Sequence, residues 1–176
     1  MPARKSPSGK TTATTRKSAP GAGAAWKMPP LIKVYEALGA VGDGRVHEKG
    51  GSAAEVVSSD GGKTYQVEVS ADGREISSND NASYWQGYLG YPGIAVLIAR
   101  GFLNARGETT RALAGIPWKE INRRFKNDYE RTTAEVARIV AERGGNFDAV
   151  RIETESILIA MRTMGLRRGA RRRPAQ

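Results

Sequence analysis

Residues 54–78 decide the fold, and they read AEVVSSDGGKTYQVEVSADGREISS. Short runs of alternating apolar and polar residues are separated by two turns that contain Asp and Gly, a pattern typical of strands joined by tight connections. The middle run places Tyr65, Val67 and Val69 on one face, while Gln66 and Glu68 fall on the other. The stretch therefore predicts a half-buried antiparallel meander, with one face solvated. Its three strands are predicted at residues 54–59, 64–70 and 74–78, with room for an additional strand near residues 45–49.

The flanking sequence predicts helices. Pro29-Pro30 precedes a helical apolar spacing at residues 31–38, with Gly39 as the expected end. Pro92 opens a short helix whose residues 94–99 are apolar on every side, which is typical of a helix buried in a core.

After an expected loop at residues 104–115, Pro117 should start the longest helix, since one apolar stripe runs from Trp118 to Ile139. Gly144-Gly145 interrupts the pattern, and Asn146 can cap a last helix that ends at Gly165. The fold class is therefore α+β: a small antiparallel three-stranded meander packed with about four helices, including a C-terminal helical hairpin.

The charge of the chain is unevenly distributed. With 28 Lys and Arg against 18 Asp and Glu, the net charge is +10, yet residues 28–165 are almost neutral. Residues 1–27 and 166–176 contain no acid and supply the whole excess. Both ends are poor in apolar side chains, so they cannot offset the entropy of ordering. We expect a disordered basic tail at 1–27, a single domain at 28–165 and a disordered Arg-rich tail at 166–176.

Basic tails of this kind favour phosphate, because arginine stays charged and binds phosphate oxygens in pairs. The leading hypothesis is a small non-enzymatic protein that binds the DNA or RNA backbone non-specifically through its tails. A second basic cluster on the expected long helix, Arg123, Arg124 and Lys126, is a weaker candidate because acidic neighbours offset much of its charge. The candidate contacts in the tails are Arg167, Arg168, Arg171, Arg172, Arg173, Lys5, Lys10, Arg16 and Lys17.

The sequence contains no motif typical of catalysis or metal binding. The chain has no Cys and a single histidine, His47, so we expect no metal and no cofactor. Two Gly-Lys-Thr triplets, which begin at Gly9 and Gly62, lack the earlier glycine of a phosphate-binding loop, and no nucleophile elbow occurs. We therefore expect that the protein is not an enzyme. A polar pocket near residues 77–91 would instead favour an enzymatic function.

The aromatic cluster Tyr84, Trp85, Tyr88 and Tyr91 has two interpretations. Aromatic side chains can stack on bases, but no Lys or Arg lies between Arg74 and Arg100 to accompany them. The spacing of the three tyrosines also suits one helical face, so core packing is the favoured prediction.

The rival function is a protein-interaction or assembly domain. Two amphipathic helices within residues 117–164 could pair with a partner or with a second copy of the chain. No run approaches the 18 apolar residues of a membrane span, and the N-terminus lacks the apolar segment of a secretory signal. A cytoplasmic location is the resulting expectation.

Overall fold

The structure, a computed structural model, describes residues 21–175. Within them a five-stranded sheet combines with six α-helices and one turn of π-helix at Ala82–Gln86, so the α+β class is confirmed. The strands are β1 (Val46–Gly50), β2 (Ala53–Val57), β3 (Thr64–Val69), β4 (Glu75–Ser78) and β5 (Arg167–Arg168). The helices are α1 (Ile32–Gly42), α2 (Tyr91–Ala99), α3 (Gly107–Ala112), α4 (Trp118–Arg124), α5 (Tyr129–Glu142) and α6 (Phe147–Met164).

The sheet follows chain order, β1-β2-β3-β4-β5. The first four strands are antiparallel neighbours, and β5 joins β4 in parallel. The predicted three-stranded meander is therefore present as β2–β4, and the additional strand near residues 45–49 is real. Val67 and Val69 face the core as predicted, whereas Gln66 and Glu68 lie on the outer face.

Helix α2 occupies the centre of the domain, between α1 and the sheet. Its residues Pro92 to Ile98 are all buried, which confirms the interpretation of an all-apolar helix as a core helix. Helix α1 covers it and continues past the expected end at Gly39 to Gly42. Gly39 and Gly42 serve close packing, since a Cβ at either would meet neighbouring backbone atoms within 3 Å.

The predicted long helix is two helices, α4 and α5, and the prediction of a single helix is wrong. Lys126 and Asn127 adopt left-handed conformations, with φ of 54° and 60°. These conformations interrupt the helix between α4 and α5. Asp128 then caps α5, its side chain accepting a hydrogen bond from the backbone NH of Arg131 at 3.1 Å. The expected loop at residues 104–115 also contains the short helix α3.

The prediction of a disordered tail at residues 166–176 differs from the structure, which gives residues 166–175 a defined path. We call these residues the C-terminal arm. Arg167 NH donates to the Arg74 carbonyl and Gly169 NH to the Ile76 carbonyl, both at 2.8 Å. On the other side of the arm Arg168 NH donates to the Ala24 carbonyl at 2.8 Å. Backbone pairing on both sides orders a segment that has almost no apolar side chains of its own.

The predicted N-terminal tail lies partly outside the described residues. Of the N-terminal tail, residues 1–20 are outside, and residues 21–27 run beside the C-terminal arm through an isolated bridge between Ala25 and Arg167. None of the helices in residues 21–175 is long and apolar enough to cross a membrane. The same part of the chain contains no group of three acidic or histidine side chains placed to hold a metal ion.

Candidate nucleic-acid interface

The five arginines of the C-terminal arm have different environments, although the sequence treats them alike. Arg168 is only 5% exposed, and its guanidinium lies over the Trp26 ring, 4.2 Å from the centroid. Burial, and then the nearby charge of Arg171, lower the pKa of Arg168. This side chain joins the arm to the N-terminal segment, so it is a structural residue and not a free phosphate ligand.

Arg172 is also committed to the protein. Its Nη1 donates to Oε1 of Gln66 at 3.2 Å, and its Nη2 forms an ion pair with Glu68. Both partners lie on the outer face of β3, which the alternating sequence leaves exposed. Arg172 therefore fastens the end of the arm across the sheet.

Arg171 lies against an aromatic pair. Its guanidinium is 4.0 Å from the centroid of the Tyr84 ring, a cation–π distance. The Tyr84 ring packs edge-to-face on Trp85, with centroids 4.6 Å apart. Trp85 is 68% exposed, the most exposed of the large apolar side chains within residues 21–175. Lys27, itself exposed, reaches this region through a hydrogen bond from its NH to the Gly87 carbonyl at 3.1 Å.

We call Lys27, Tyr84, Trp85 and Arg171 the arginine–aromatic surface. The prediction of core packing is wrong for Trp85, which projects from the π-helical turn into solvent. The sequence near the aromatic residues contains no Lys or Arg, so it does not reveal a cation beside them. The C-terminal arm supplies that cation, Arg171, from more than eighty positions away. The pairing of β5 with β4 helps to position the arm there, and it joins residues that are distant in the sequence.

The remaining candidates are distributed elsewhere. Arg167 and Arg173 are exposed on the arm, and Lys5, Lys10, Arg16 and Lys17 lie outside the described residues. Arg124 is held by an ion pair with Glu135 at 2.5 Å and stacks on Phe125. The weaker cluster Arg123, Arg124 and Lys126 lies around the α4–α5 junction, and Arg123 lines a separate cleft.

That cleft has a volume of about 530 Å³. It opens between α1, the β2–β3 turn, residues 80–82 and the start of α4. Asp80, Asn81 and Tyr91 contribute to its wall, so the region near residues 77–91 does border a polar pocket.

The described residues thus define an α+β domain with a basic and aromatic edge, in which both chain ends take part. The model of one protein family, described as Uncharacterised conserved protein UCP014422, matches residues 26–167. The chain belongs to this family, since the match spans most of its length. No curated protein and no solved structure matches the chain.

Proposed function

We propose that the protein binds single-stranded nucleic acid without sequence preference, and that the arginine–aromatic surface is the contact. The observation that carries the proposal is the exposed Trp85 ring beside Tyr84, with the Arg171 guanidinium over the latter. Proteins that hold single strands combine aromatic rings, on which bases stack, with cations that follow the phosphates. No bond making or breaking is part of this role.

The electrostatics of the arm support the same function. Lys27, Arg167, Arg171 and Arg173 are exposed and have no acidic partner among residues 21–175. Four such cations facing phosphates would give a log–log salt slope of about −3 on single strands. Residues 1–20, which hold five more cations and no acid, would steepen this slope if they also contact the backbone.

Fluorescence anisotropy with a labelled single-stranded oligonucleotide tests the proposal. Trp85→Ala should weaken binding roughly fivefold or more, because one base–aromatic stack contributes about 1–3 kcal/mol. The double variant Arg171→Ala/Arg173→Ala should weaken binding and make the salt slope shallower by about 1.4. A charge-matched control, Arg111→Ala/Arg138→Ala, removes two cations from α3 and α5 and should leave the slope unchanged.

Three results would contradict the proposal. The first is a lack of binding by the full chain at low salt. The second is a Trp85→Ala variant that binds like the parent. The third is a control variant that loses as much affinity as the arm variant, which would indicate a diffuse charge effect and no defined surface.

A second candidate function, self-association, is favoured by one observation on α6. The predicted apolar stripes of α5 and α6 face the core of the domain, with Val136 and Ile157 both buried. Ile152 and Ile159, however, are 56% and 63% exposed and lie two turns apart on one face. Sedimentation velocity of the parent and of Ile152→Ser/Ile159→Ser tests this. A dimer that the double variant abolishes supports it, and a monomeric parent contradicts it.

A further inference from the structure

The cleft of about 530 Å³ is lined by residues other than the four of the arginine–aromatic surface. One wall is closed where α4 meets the β2–β3 turn, since Lys119 NH donates to Oγ of Ser59 at 3.0 Å. Lys119 Nζ also binds Asp60 at 2.6 Å, and these contacts hold the pKa of that aspartate well below its usual range. The volume lies within the range of small-molecule sites.

The two carboxylates that line the cleft are already fully engaged. Glu36 accepts hydrogen bonds from Lys33 Nζ at 2.9 Å and from Asn122 Nδ2 at 2.8 Å. Asp80 accepts from the hydroxyls of Ser78 and Ser83 at 2.7 and 2.6 Å. Both acids are therefore committed to contacts within the protein.

Arg45, which lines the cleft, is committed to the protein. It binds Asp43 through Nε and the Val57 carbonyl through Nη1, at 2.9 and 2.7 Å. Its guanidinium also contributes positive charge to the wall of the cleft.

The rim adds further cations. Arg123 has no side-chain partner among the described residues, and Lys63 makes only a long contact, 3.4 Å, to the Ala175 carbonyl. The amides of Asn81 and Asn127 are likewise unengaged and exposed. Asn127 is held there in the left-handed conformation, next to Lys126 in the same conformation. Consecutive left-handed residues outside glycine are costly, and such strain is often retained where it orients a functional group.

The floor of the cleft is aromatic. Tyr65 and Tyr91 pack edge-to-face, with ring centroids 5.8 Å apart. Burial raises the pKa of both hydroxyls, so they stay protonated and can donate. The cleft therefore offers aromatic surface, hydroxyl and amide groups, and a surplus of positive charge.

We infer that the cleft is a binding site for a small phosphate monoester. Its phosphate would lie toward Lys63 and Arg123, and its organic part against Tyr65 and Tyr91. A phosphate oxygen is acceptor-only and anionic, which matches a site whose uncommitted charged groups, Lys63 and Arg123, are cations. This site stands on residues that the proposed nucleic-acid interface does not use.

Isothermal titration calorimetry of the full chain with ribose 5-phosphate, ribose and citrate tests the inference. Ribose 5-phosphate should bind saturably, while ribose, which lacks the charge, should not. Lys63→Gln/Arg123→Gln should weaken binding at least about tenfold, since each charge-assisted hydrogen bond contributes about that factor. Arg111→Gln, an exposed cation on α3, is the matched control and should bind like the parent.

The inference is overturned if ribose 5-phosphate shows no saturable binding at millimolar concentration. It is also overturned if citrate binds equally well, or if the control variant loses as much affinity as the cleft variant. Trp85→Ala separates the two proposals. It should weaken oligonucleotide binding and leave ribose 5-phosphate binding unchanged, so either proposal can fail without the other.

Discussion

Gly42, the last residue of α1, is a position where the fold leaves no room for a side chain. A Cβ built there would lie 2.0 Å from the carbonyl oxygen of Thr110 and 2.7 Å from its carbon. Both are backbone atoms of α3, which cannot rotate aside as a flexible side chain could. Gly42→Ala therefore forces α1 and α3 apart.

The expected change in the free energy of unfolding follows from two opposing effects. Replacing a helical glycine by alanine gains about 1 kcal/mol of helix propensity. Restoring ordinary contact at 3.4 Å or more requires the oxygen and the Cβ to separate by more than about 1 Å. Overpacking of this kind costs about 1–3 kcal/mol and can cost more when backbone must move. We expect a net loss of about 2 kcal/mol, or roughly 4–8 °C in Tm for a chain of this size.

Urea unfolding followed by far-ultraviolet circular dichroism measures this loss. The matched control is Gly107→Ala, at the first residue of α3, where a Cβ meets nothing within 4 Å. The control should be as stable as the parent or more stable by up to about 1 kcal/mol. If Gly42→Ala unfolds at the same urea concentration as Gly107→Ala, the close approach of α1 and α3 is incorrect.

Two further predictions concern single side chains. The Tyr35 hydroxyl is buried without a hydrogen-bond partner among the described residues, and burial raises its pKa to about 12. Tyr35→Phe should therefore unfold at equal or higher urea concentration, by up to about 1 kcal/mol, and a clear loss would contradict this. Arg138 and then Arg124 lower the pKa of Glu135 to about 2. The resulting stabilisation is complete above the ordinary glutamate pKa and is lost as the pH falls through 2. A carbon-13 titration of the Glu135 carboxyl should show this midpoint, and Arg138→Gln should raise it; an ordinary midpoint in the parent would refute the ion pair.

The elements that the sequence predicts well are those with a strong local period. The alternation at residues 64–70 predicts β3, and the all-apolar residues 94–99 predict α2. In each case the pattern of apolar side chains that must be buried is compatible with one kind of element. The same reliance on a local period hides the helix break at residues 126–127. The apolar spacing continues across it, so the period alone cannot reveal that Asp128 starts a new helix.

The missed parts depend on contacts between distant residues. Strand β5 consists of two arginines, a composition that favours solvent, and it exists because Arg74 and Ile76 offer backbone groups at the edge of β4. The arginine–aromatic surface follows from that pairing and was therefore also missed. The sequence predicts a helix end at Gly39, because a glycine that ends a helix and one needed for close packing look the same in the local sequence.

The bridge between Ala25 and Arg167, together with the hydrogen bond from Gly23 NH to the Arg168 carbonyl, has a consequence for the tails. Residues 21–27 therefore lie beside the C-terminal arm, although the two segments are far apart in the sequence. Lys27 and the exposed arginines of the arm contribute their charge to the same edge of the domain. A polyanion that contacts one of these cations is therefore held at a high effective concentration near the others.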